Sequence, residues 1–521
     1  MTSSSNSTSQ RQPSIVLSLM VGLVAGGAGI AVAEFVASIS RSWRSPVLDV
    51  GDRVVDNVPS FLKELAISWF GTNDKIALLV GIGSLLAVFA AILGVIALRR
   101  NLTLAIAGAG LFGFIGALAA LGSRTGASVT AAIPSIIGAV AVGVVLWWAR
   151  RQDVGDTSTE NAVRPDASHR RRFLASLGVL SAVSLGVGLL GRRFEGRFSA
   201  EGSREEVALA QGASGPPEVP AGAQGENSAP FFTPNEDFYR IDTALTVPQI
   251  DADSWTLKIS GMVDNEMELT YDDLVAKGLI ESDITLTCVS ILVGGDLVGN
   301  ARWQGVRLDE LLAEAGIQAG ADQIVGRSVD GYTCGFPVAA LDDGRDAMVA
   351  VTMNGEPLPL EHGFPARLVV PGIYGYASAT KWLTEIELTT FDAFDSYWVP
   401  RGYAAEAPIK MQTRIDAPRG LDRIPAGEFA IGGVAWAQPV GIQQVEVSID
   451  DGPWEPAEMS AEVNGSTWRQ WTYRWNAPSG RHTVTARAID SEGTIQTAER
   501  DEPLPDGVTG HHSVVVLVDE A

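Results

Sequence analysis

The side chains best suited to redox or metal chemistry are few. The chain has two cysteines, Cys288 and Cys334, and five histidines, His169, His362, His482, His511 and His512. Two cysteines give no disulfide framework and no CxxC pair. Cys288 falls where a β-like run, Ile284-Thr-Leu-Thr-Cys-Val289, ends, so a strand would deliver a single thiol to its tip. A thiolate is a soft metal ligand, but a lone cysteine is more often ordinary packing, and its neighbours must decide. No histidine precedes His169 and no cysteine precedes Cys288, which argues against histidine-held haem or structural zinc in the first 168 residues.

The elements that carry these residues divide the chain by charge. Of 521 residues, positions 1–200 hold 18 Lys/Arg and 11 Asp/Glu, net +7. Positions 201–521 hold 20 and 50, net −30, which excludes nucleic-acid binding through bulk charge. Apolar content is 46% and mean hydropathy +0.15, high for so acidic a chain, and the front half accounts for it.

Apolar runs at 15–39, 76–98, 102–121 and 129–149 are long enough to cross a bilayer, and a fifth at 173–190 is marginal. Gly22, Gly26 and Gly29, and Gly110, Gly113 and Gly116, provide small faces for close helix packing. Glu34, the acid inside a run, is expected near an outer end, reaching the headgroups. Arg99 and Arg100, then Arg150, Arg151, Arg164, Arg170, Arg171 and Arg172, mark two cytoplasmic loops, so five crossings place the acidic half outside. Five basic residues in the 40–75 loop run against that orientation. Ser168-His-Arg-Arg-Arg-Phe-Leu174 also has the form of an internal twin-arginine export signal.

Residues 196–229, rich in Gly, Ala, Ser, Pro and Glu, read as a flexible linker. Beyond it come short strands such as Trp255–Ser260 and Arg367–Val370, with short helices at 271–276 and 307–315, the first capped by Thr270. This predicts an α+β domain over 230–403. Five strand-like runs with Asp451-Gly452 and Asn464-Gly465 turns predict an immunoglobulin-like β-sandwich over 404–521. The expected organisation is therefore a bundle of about five transmembrane helices over 1–195, the linker, and these two domains.

Several motifs now fall in order: Leu286-Thr-Cys-Val-Ser290, Gly294-Gly-Asp296, Gly299-Asn-Ala-Arg-Trp-Gln-Gly305, Asp330-Gly-Tyr332, Met353-Asn-Gly355, His362-Gly-Phe-Pro-Ala-Arg367 and Thr380-Lys-Trp382. Over about residues 230–520 the chain resembles the sulfite oxidase family, including its dimerisation domain at the C-terminal end. The resemblance implies a molybdenum–molybdopterin cofactor without haem, with Cys288 as the metal ligand and Tyr332 as the active-site tyrosine. It places Asn235, Phe238 and Tyr239 in an early pterin loop and Ser328 near the ring. It puts His362 and Arg367 on the phosphate side, Ser378, Ala379, Thr380 and Lys381 in a final clamp, and makes Arg302 a further candidate. Beyond residue 200 lysine occurs only at Lys258, Lys277, Lys381 and Lys410, which gives weight to the one inside a matching motif.

Two departures bear on the substrate. Sulfite oxidases use arginines against their anion, but Phe238-Tyr-Arg-Ile-Asp-Thr-Ala244 puts Asp242 about where one would stand, and Val289-Ser-Ile-Leu-Val293 has no arginine. The expectation is a membrane-anchored oxidoreductase of the cytoplasmic membrane, its catalytic part outside, transferring an oxygen atom to or from a small oxyanion, sulfoxide or similar substrate. Its partners would be membrane lipid, a quinone or separate redox protein, and a second copy in a homodimer, with no nucleic acid. A cofactor-free binding or assembly module, or a sulfite dehydrogenase, are the alternatives. The absence of histidine and the single acid argue against helices that form a quinone or transport module, without excluding a bound quinone.

Overall fold

Runs of Ala, Gly, Leu, Ile and Val uninterrupted by charge shape the first part of the chain, and alternating patterns shape the rest. The computed structural model describes residues 13–40, 43–58, 74–122, 128–154, 167–207 and 218–520. It has two units: Met1–Ser199 with Thr243–Thr246, and Ala200–Asp242 with Val247–Ala521.

The first unit contains helices α1 (Ile15–Ala37), α2 (Pro46–Asn57), α3 (Asp74–Arg99), α4 (Leu102–Gly122), α5 (Ile133–Val154) and α6 (Ala167–Glu195). All but α2 contain stretches long and apolar enough to cross a membrane by length and composition; that of α5 includes the preceding 3₁₀ turn. The stretch in α6, Arg171–Gly191, is 21 residues long and exceeds the marginal run read from sequence. Helix α1 packs on α3, α5 and α6. Glycines permit this: a Cβ on Gly22 would stand 2.1 Å from Ala90 O, and one on Gly29 2.9 Å from Gly138 O. Gly110 differs from its expected role, because no atom lies within 4 Å of where its Cβ would be.

The 40–75 segment is not all loop. Ser45 caps α2, an amphipathic helix with Pro46 in its first turn, and Arg44 pairs with Asp52 at 2.6 Å. Glu34 has a partner within the first unit. Its carboxylate accepts from Ser45 Oγ and lines a cavity among the helices. Arg150 donates to Leu98 O, and Trp148 stacks on Phe173 with centroids 5.9 Å apart. These contacts bring the ends of α3 and α5 and the start of α6 together, and with them several of the arginines.

In the second unit, α7 (Glu201–Glu206) and residues 218–229 are not a free tether. Ser203 Oγ accepts from Ala252 N, Asn227 Nδ2 donates to Ala430 O at 2.8 Å, and Ala229 N donates to Asp416 Oδ2 at 2.8 Å. Bonds to β11 and β13 and to the turn at 252–254 fix a segment that composition alone marks as linker. Residues 208–217 of that expected linker lie outside the described residues.

Ten strands follow: β1 (Thr256–Gly261), β2 (Met267–Thr270), β3 (Ile280–Thr287), β4 (Val298–Arg307), β5 (Gln323–Ser328), β6 (Thr333–Pro337), β7 (Met348–Met353), β8 (Glu356–Pro357), β9 (Arg367–Val369) and β10 (Leu383–Thr389). They form one sheet in the order β2-β1-β10-β5-β6 and another in the order β3-β4-β7-β8, with β9 paired to β7. Helix α8 (Tyr271–Ala276) starts in a capping box of Thr270 and Asp273, and α9 (Leu308–Ala315) buries Leu308, Leu311, Leu312 and Ala315. Trp303, Trp382, Tyr374, Phe336 and Phe364 are fully buried.

The C-terminal strands are β11 (Gln412–Ala417), β12 (Arg423–Pro425), β13 (Gly427–Trp436), β14 (Ile442–Ile449), β15 (Glu455–Pro456), β16 (Glu458–Met459), β17 (Arg469–Ala477), β18 (Gly480–Asp490) and β19 (His512–Asp519). They make two sheets, β11-β13-β17-β16 and β12-β19-β18-β14-β15, which share a core including Ile431, Trp471, Val445, Val484 and Val516.

β3 is an edge of its sheet, and the loop between β16 and β17 covers it. Asn464 Nδ2 donates to Asp283 O, Trp468 N to Thr285 Oγ1, and Thr285 N to Ser466 O. An uncovered edge would expose unpaired amides and carbonyls beside the strand that carries Cys288.

Candidate functional site

Cys288 follows β3 directly. Its amide donates to Leu297 O at 2.9 Å, and its carbonyl accepts from Ile291 N at 3.1 Å, so the chain turns sharply after the strand. The thiol is 7% exposed and lies 3.0 Å from Ser290 Oγ. Burial pushes it up, while Ser290 and the charge of Lys381 favour the thiolate. A cation that replaces the proton would make it a ligand.

The loop after Cys288 is fastened from β11 and β19. Arg414 Nη1 donates to Gly295 O at 3.1 Å. The ring of His512 packs on Gly294, where φ is +77° and a Cβ would stand 2.2 Å from Nε2. Ile415 N donates to His512 Nδ1 at 3.0 Å, and burial brings this histidine down to about 4, so it is neutral near pH 7.

A second cluster is cationic. Arg367 opens β9 and is buried, and it donates to His362 O at 3.1 Å and Leu368 O at 3.4 Å. No carboxylate of the described residues forms a salt bridge with it. Its guanidinium lies 5.0 Å from the Trp303 ring centre, and burial brings it down to about 10. Lys381 Nζ donates to Asp242 Oδ2 at 3.2 Å and Glu361 O at 3.0 Å. Burial lowers it to about 8, offset in part by Asp242. The same carboxylate accepts from Arg240 Nε at 2.8 Å. Gly363, at φ +112°, lets the chain pass between Arg367 and Lys381, because a Cβ there would stand 3.1 Å from atoms of each. His362 is held down to about 3 by burial and by Lys381 and Arg367, so it is neutral, with Nε2 3.1 Å from Asn235 O.

Aromatic rings join the clusters. Phe238 stacks on Tyr239 at 5.2 Å and meets Trp303 and His362 edge-on at 5.9 and 5.6 Å. Tyr239 feels both Cys288 and Arg367, and burial pushes its phenol up. Tyr332 is half-buried; its hydroxyl donates to Tyr376 O at 2.6 Å, and burial raises it well above the ordinary value. Its proton is therefore held on a backbone carbonyl.

The remaining expected residues sit as follows. Asn235 uses its side chain on Met353 O and Asn354, so it meets the cluster through its own carbonyl. Ser328 begins the turn that ends at Tyr332, whose carbonyl accepts from Ser328 N at 2.9 Å. Ser378 Oγ bonds Ile373 O and Tyr374 O inside α10 (Gly375–Ser378), and Ala379 follows as its cap. Thr380 Oγ1 bonds Gly326 O and, at 2.8 Å, Cys334 Sγ. Both cysteines are free.

Arg302 is not brought to the cluster. It alternates with Trp303 along β4, so when Trp303 faces Phe238 and Arg367, Arg302 faces away. Its guanidinium is held by Asp283, fully buried on β3, at 2.7 and 2.9 Å. The sequence reading assigned no role to Thr287 and Ser290, although both flank Cys288 within the quoted motif. It also missed Arg414 and His512, more than a hundred positions away, for which no local pattern gives a signal.

A family model described as the oxidoreductase molybdopterin binding domain matches residues 244–398. Over 155 residues the chain is 36% identical to the uncharacterized oxidoreductase YuiH of Bacillus subtilis, a match that covers 29% of this chain and 74% of that one. The chain belongs to the sulfite oxidase family of molybdopterin oxidoreductases. It is also 29% identical over 315 residues to the mitochondrial sulfite oxidase of Homo sapiens, covering 51% of this chain and 57% of that one. It thus spans little more than half the length of that sulfite oxidase. Among solved structures it is similar to the sulfane dehydrogenase SoxCD from Paracoccus pantotrophus, with TM-score 0.48 and 22% identity over 56% of this chain and 84% of that chain.

The residues present fit this family's cofactor. Of the buried side-chain polar atoms without a partner among the described residues, His362 Nδ1 belongs to this cluster and Thr287 Oγ1 to the residue before Cys288. Arg367 and Lys381 carry buried positive charge against the single carboxylate of Asp242, a surplus that a phosphate would balance.

That surplus gives a pH dependence. Folding lowers Lys381 from 10.5 to about 8, so between these values the unfolded chain holds a proton that the folded chain has released. Raising pH through this window stabilises the fold, and below it the buried cation is carried at a cost that a bound anion offsets. Inorganic phosphate should therefore raise the melting temperature fully below pH 8, and the gain should shrink as pH rises towards 10. Scanning fluorimetry across pH, with Lys381→Met as the variant that flattens the profile, checks this.

Proposed function

We propose that the chain is a membrane-anchored, molybdopterin-dependent oxidoreductase that moves an oxygen atom to or from a small substrate outside the cytoplasm. The observation that carries this reading is the buried Cys288 thiol within the field of Lys381, in a cluster with buried Arg367 and an unpartnered His362 Nδ1. Bound molybdopterin would supply a two-electron metal centre there. Cys288 would give the metal its thiolate, and Ser290 would orient the sulfur. Arg367, Lys381 and neutral His362 would hold the phosphate-bearing cofactor, with Phe238 and Tyr239 as its aromatic wall. Tyr332, its proton on Tyr376 O, would offer its phenolic oxygen as an acceptor to a donor on the substrate.

Sulfite oxidation is the second reading, favoured by the names of the relatives. Asp242 weighs against it, because its carboxylate occupies Lys381 and Arg240 and would repel an anion nearby. Molybdenum measured by mass spectrometry on natively exported protein tests the cofactor, and absence of the metal would favour a cofactor-free module instead. Turnover of sulfoxides, N-oxides, sulfite and chlorate with an artificial donor or acceptor then tests the reaction.

The remaining parts of the reading are also proposals. Helices α1, α3, α4, α5 and α6 would span the cytoplasmic membrane, with the arginine-bearing ends of α3, α5 and α6 inside. Residues 230–403 would form the catalytic domain, and 404–521 an immunoglobulin-like domain that could pair two copies. The electron partner would be a quinone or a separate redox protein. If Ser168–Leu174 is an export signal, Arg171→Lys with Arg172→Lys should leave the acidic half inside the cell. Protease protection in spheroplasts reads this, and unchanged accessibility would argue for a simple anchor.

A further inference from the structure

Helices α4 and α5 leave a groove on the outer surface of the first unit. Its walls are Ile106 and Phe114 on α4 and Ile136, Val140, Val144 and Trp147 on α5. These six side chains are 39–59% exposed, and the groove encloses about 680 Å³. On its floor, no atom lies within 4 Å of a Cβ placed on Gly110. The lining runs over residues 106–117 of α4 and 136–147 of α5 and includes no charged side chain. At 1.5 Å per residue each wall is roughly 17 Å long. That is close to half of a hydrocarbon core about 30 Å thick, the depth of one leaflet. One end is cationic. Arg151, one turn beyond Trp147, is exposed and lays its guanidinium 3.9 Å from the centre of the Trp147 ring. No carboxylate of the described residues forms a salt bridge with it. The bond from Arg150 to Leu98 O brings exposed Arg100 to the same end of the helices.

We infer that this groove holds an acyl chain of one anionic phospholipid, with its phosphate at Arg151 and the chain running from Trp147 towards Phe114. A six-carbon ring occupies a cavity of roughly 150 Å³, so about 680 Å³ takes a lipid chain of about 16–18 carbons with room to spare. A tryptophan and arginines at one end belong at the level of the headgroups, and a groove one leaflet deep then ends where the chain does. Stacking on Trp147 orients the guanidinium while its N–H edge stays available to a phosphate. A second copy packed here about an axis along the membrane normal would bring a second Arg151 to the same end, like charge beside like. An anionic headgroup supplies the opposite sign instead. This site rests on reading the helices as membrane-spanning, and it gives the proposed lipid partner a place and a charge.

The test uses the full chain. Carbonate extraction of native membranes first settles whether the chain is integral. Delipidated protein in detergent is then titrated with palmitoyl-oleoyl phosphatidylglycerol and, separately, with phosphatidylcholine of the same chains, and native mass spectrometry counts the lipid retained. One phosphatidylglycerol per chain is expected, held roughly fivefold more tightly than phosphatidylcholine, the worth of one cation near an anionic lipid. Arg151→Gln should remove that preference, and Arg151→Lys should restore most of it. Gly110→Leu, which fills the groove where no atom stands in the way of its Cβ, should lose both lipids at an unchanged melting temperature. If that variant does not fold, the two Arg151 variants decide. An integral protein that retains neither lipid, retains both equally, or keeps its preference in Arg151→Gln overturns the site and leaves the membrane reading standing. So does a dimer that Gly110→Leu dissociates, because a second copy then fills the groove. A chain released by carbonate overturns both.

Discussion

Cys288→Ser protein is expected to fold as the parent does, to keep its pterin, and to lose more than ~100-fold of its oxygen-transfer turnover. Groups that merely orient a metal ligand typically cost about 10–100-fold when removed, and a direct ligand must cost more. The fold is expected to survive because the backbone that positions residue 288 does not depend on sulfur. Leu297 O and Ile291 N hold the turn, and Ser290 can pair with a new hydroxyl as it does with the thiol. Metal content, melting temperature and turnover are measured on the same preparation. A variant with full metal and full activity would sink the assignment of Cys288. A parallel Cys334→Ser protein should keep both, because that thiol is fully buried beside Thr380.

Arg367→Met should separate holding the cofactor from holding the fold. In the cofactor-free protein the guanidinium is buried, pairs with backbone carbonyls and meets no carboxylate of the described residues. A buried ion of this kind is a burden on stability, so an apolar side chain of similar length should leave the melting temperature level or raise it. The bound cofactor reverses the balance, because the phosphate then loses a buried partner, a change worth about 2–5 kcal/mol or roughly 30-fold and more in affinity. The expected result is a stable protein that loses its pterin on gel filtration, read by fluorescence of the released and oxidised cofactor. A large fall in melting temperature with full cofactor content would instead make Arg367 a structural residue.

Much of this site was legible because its parts are local. The strand that ends at Cys288, the box of Thr270 and Asp273, and the long apolar helices follow from spacing within about twenty residues. The period of a strand could also have excluded Arg302, since a tryptophan facing the pocket sends its neighbour the other way. The contacts that escaped join distant positions. Asp242 meets Lys381 across 139 positions, and Asn227 meets Ala430 across 203. No periodicity records such pairs. Composition misled at residues 218–229 for the same reason, because a Gly- and Pro-rich segment makes no helix of its own yet can still be tied down by another sheet's carbonyls. The partner of Glu34 escaped as well, because Ser45 lies at the start of a helix within a stretch taken as loop.

The loop that covers the edge of β3 constrains how such a protein can be divided or recombined. Asn464, Ser466 and Trp468 belong to the C-terminal sandwich, yet they complete the strand that carries Cys288. A cut near residue 404 would leave two fragments that each look like a domain, and the first would expose a bare strand ready to pair with another copy. Shuffling the C-terminal half between relatives would succeed only when this short loop travels with the strand it matches. The sandwich therefore completes the strand that carries Cys288, however separate the two may look in a domain diagram.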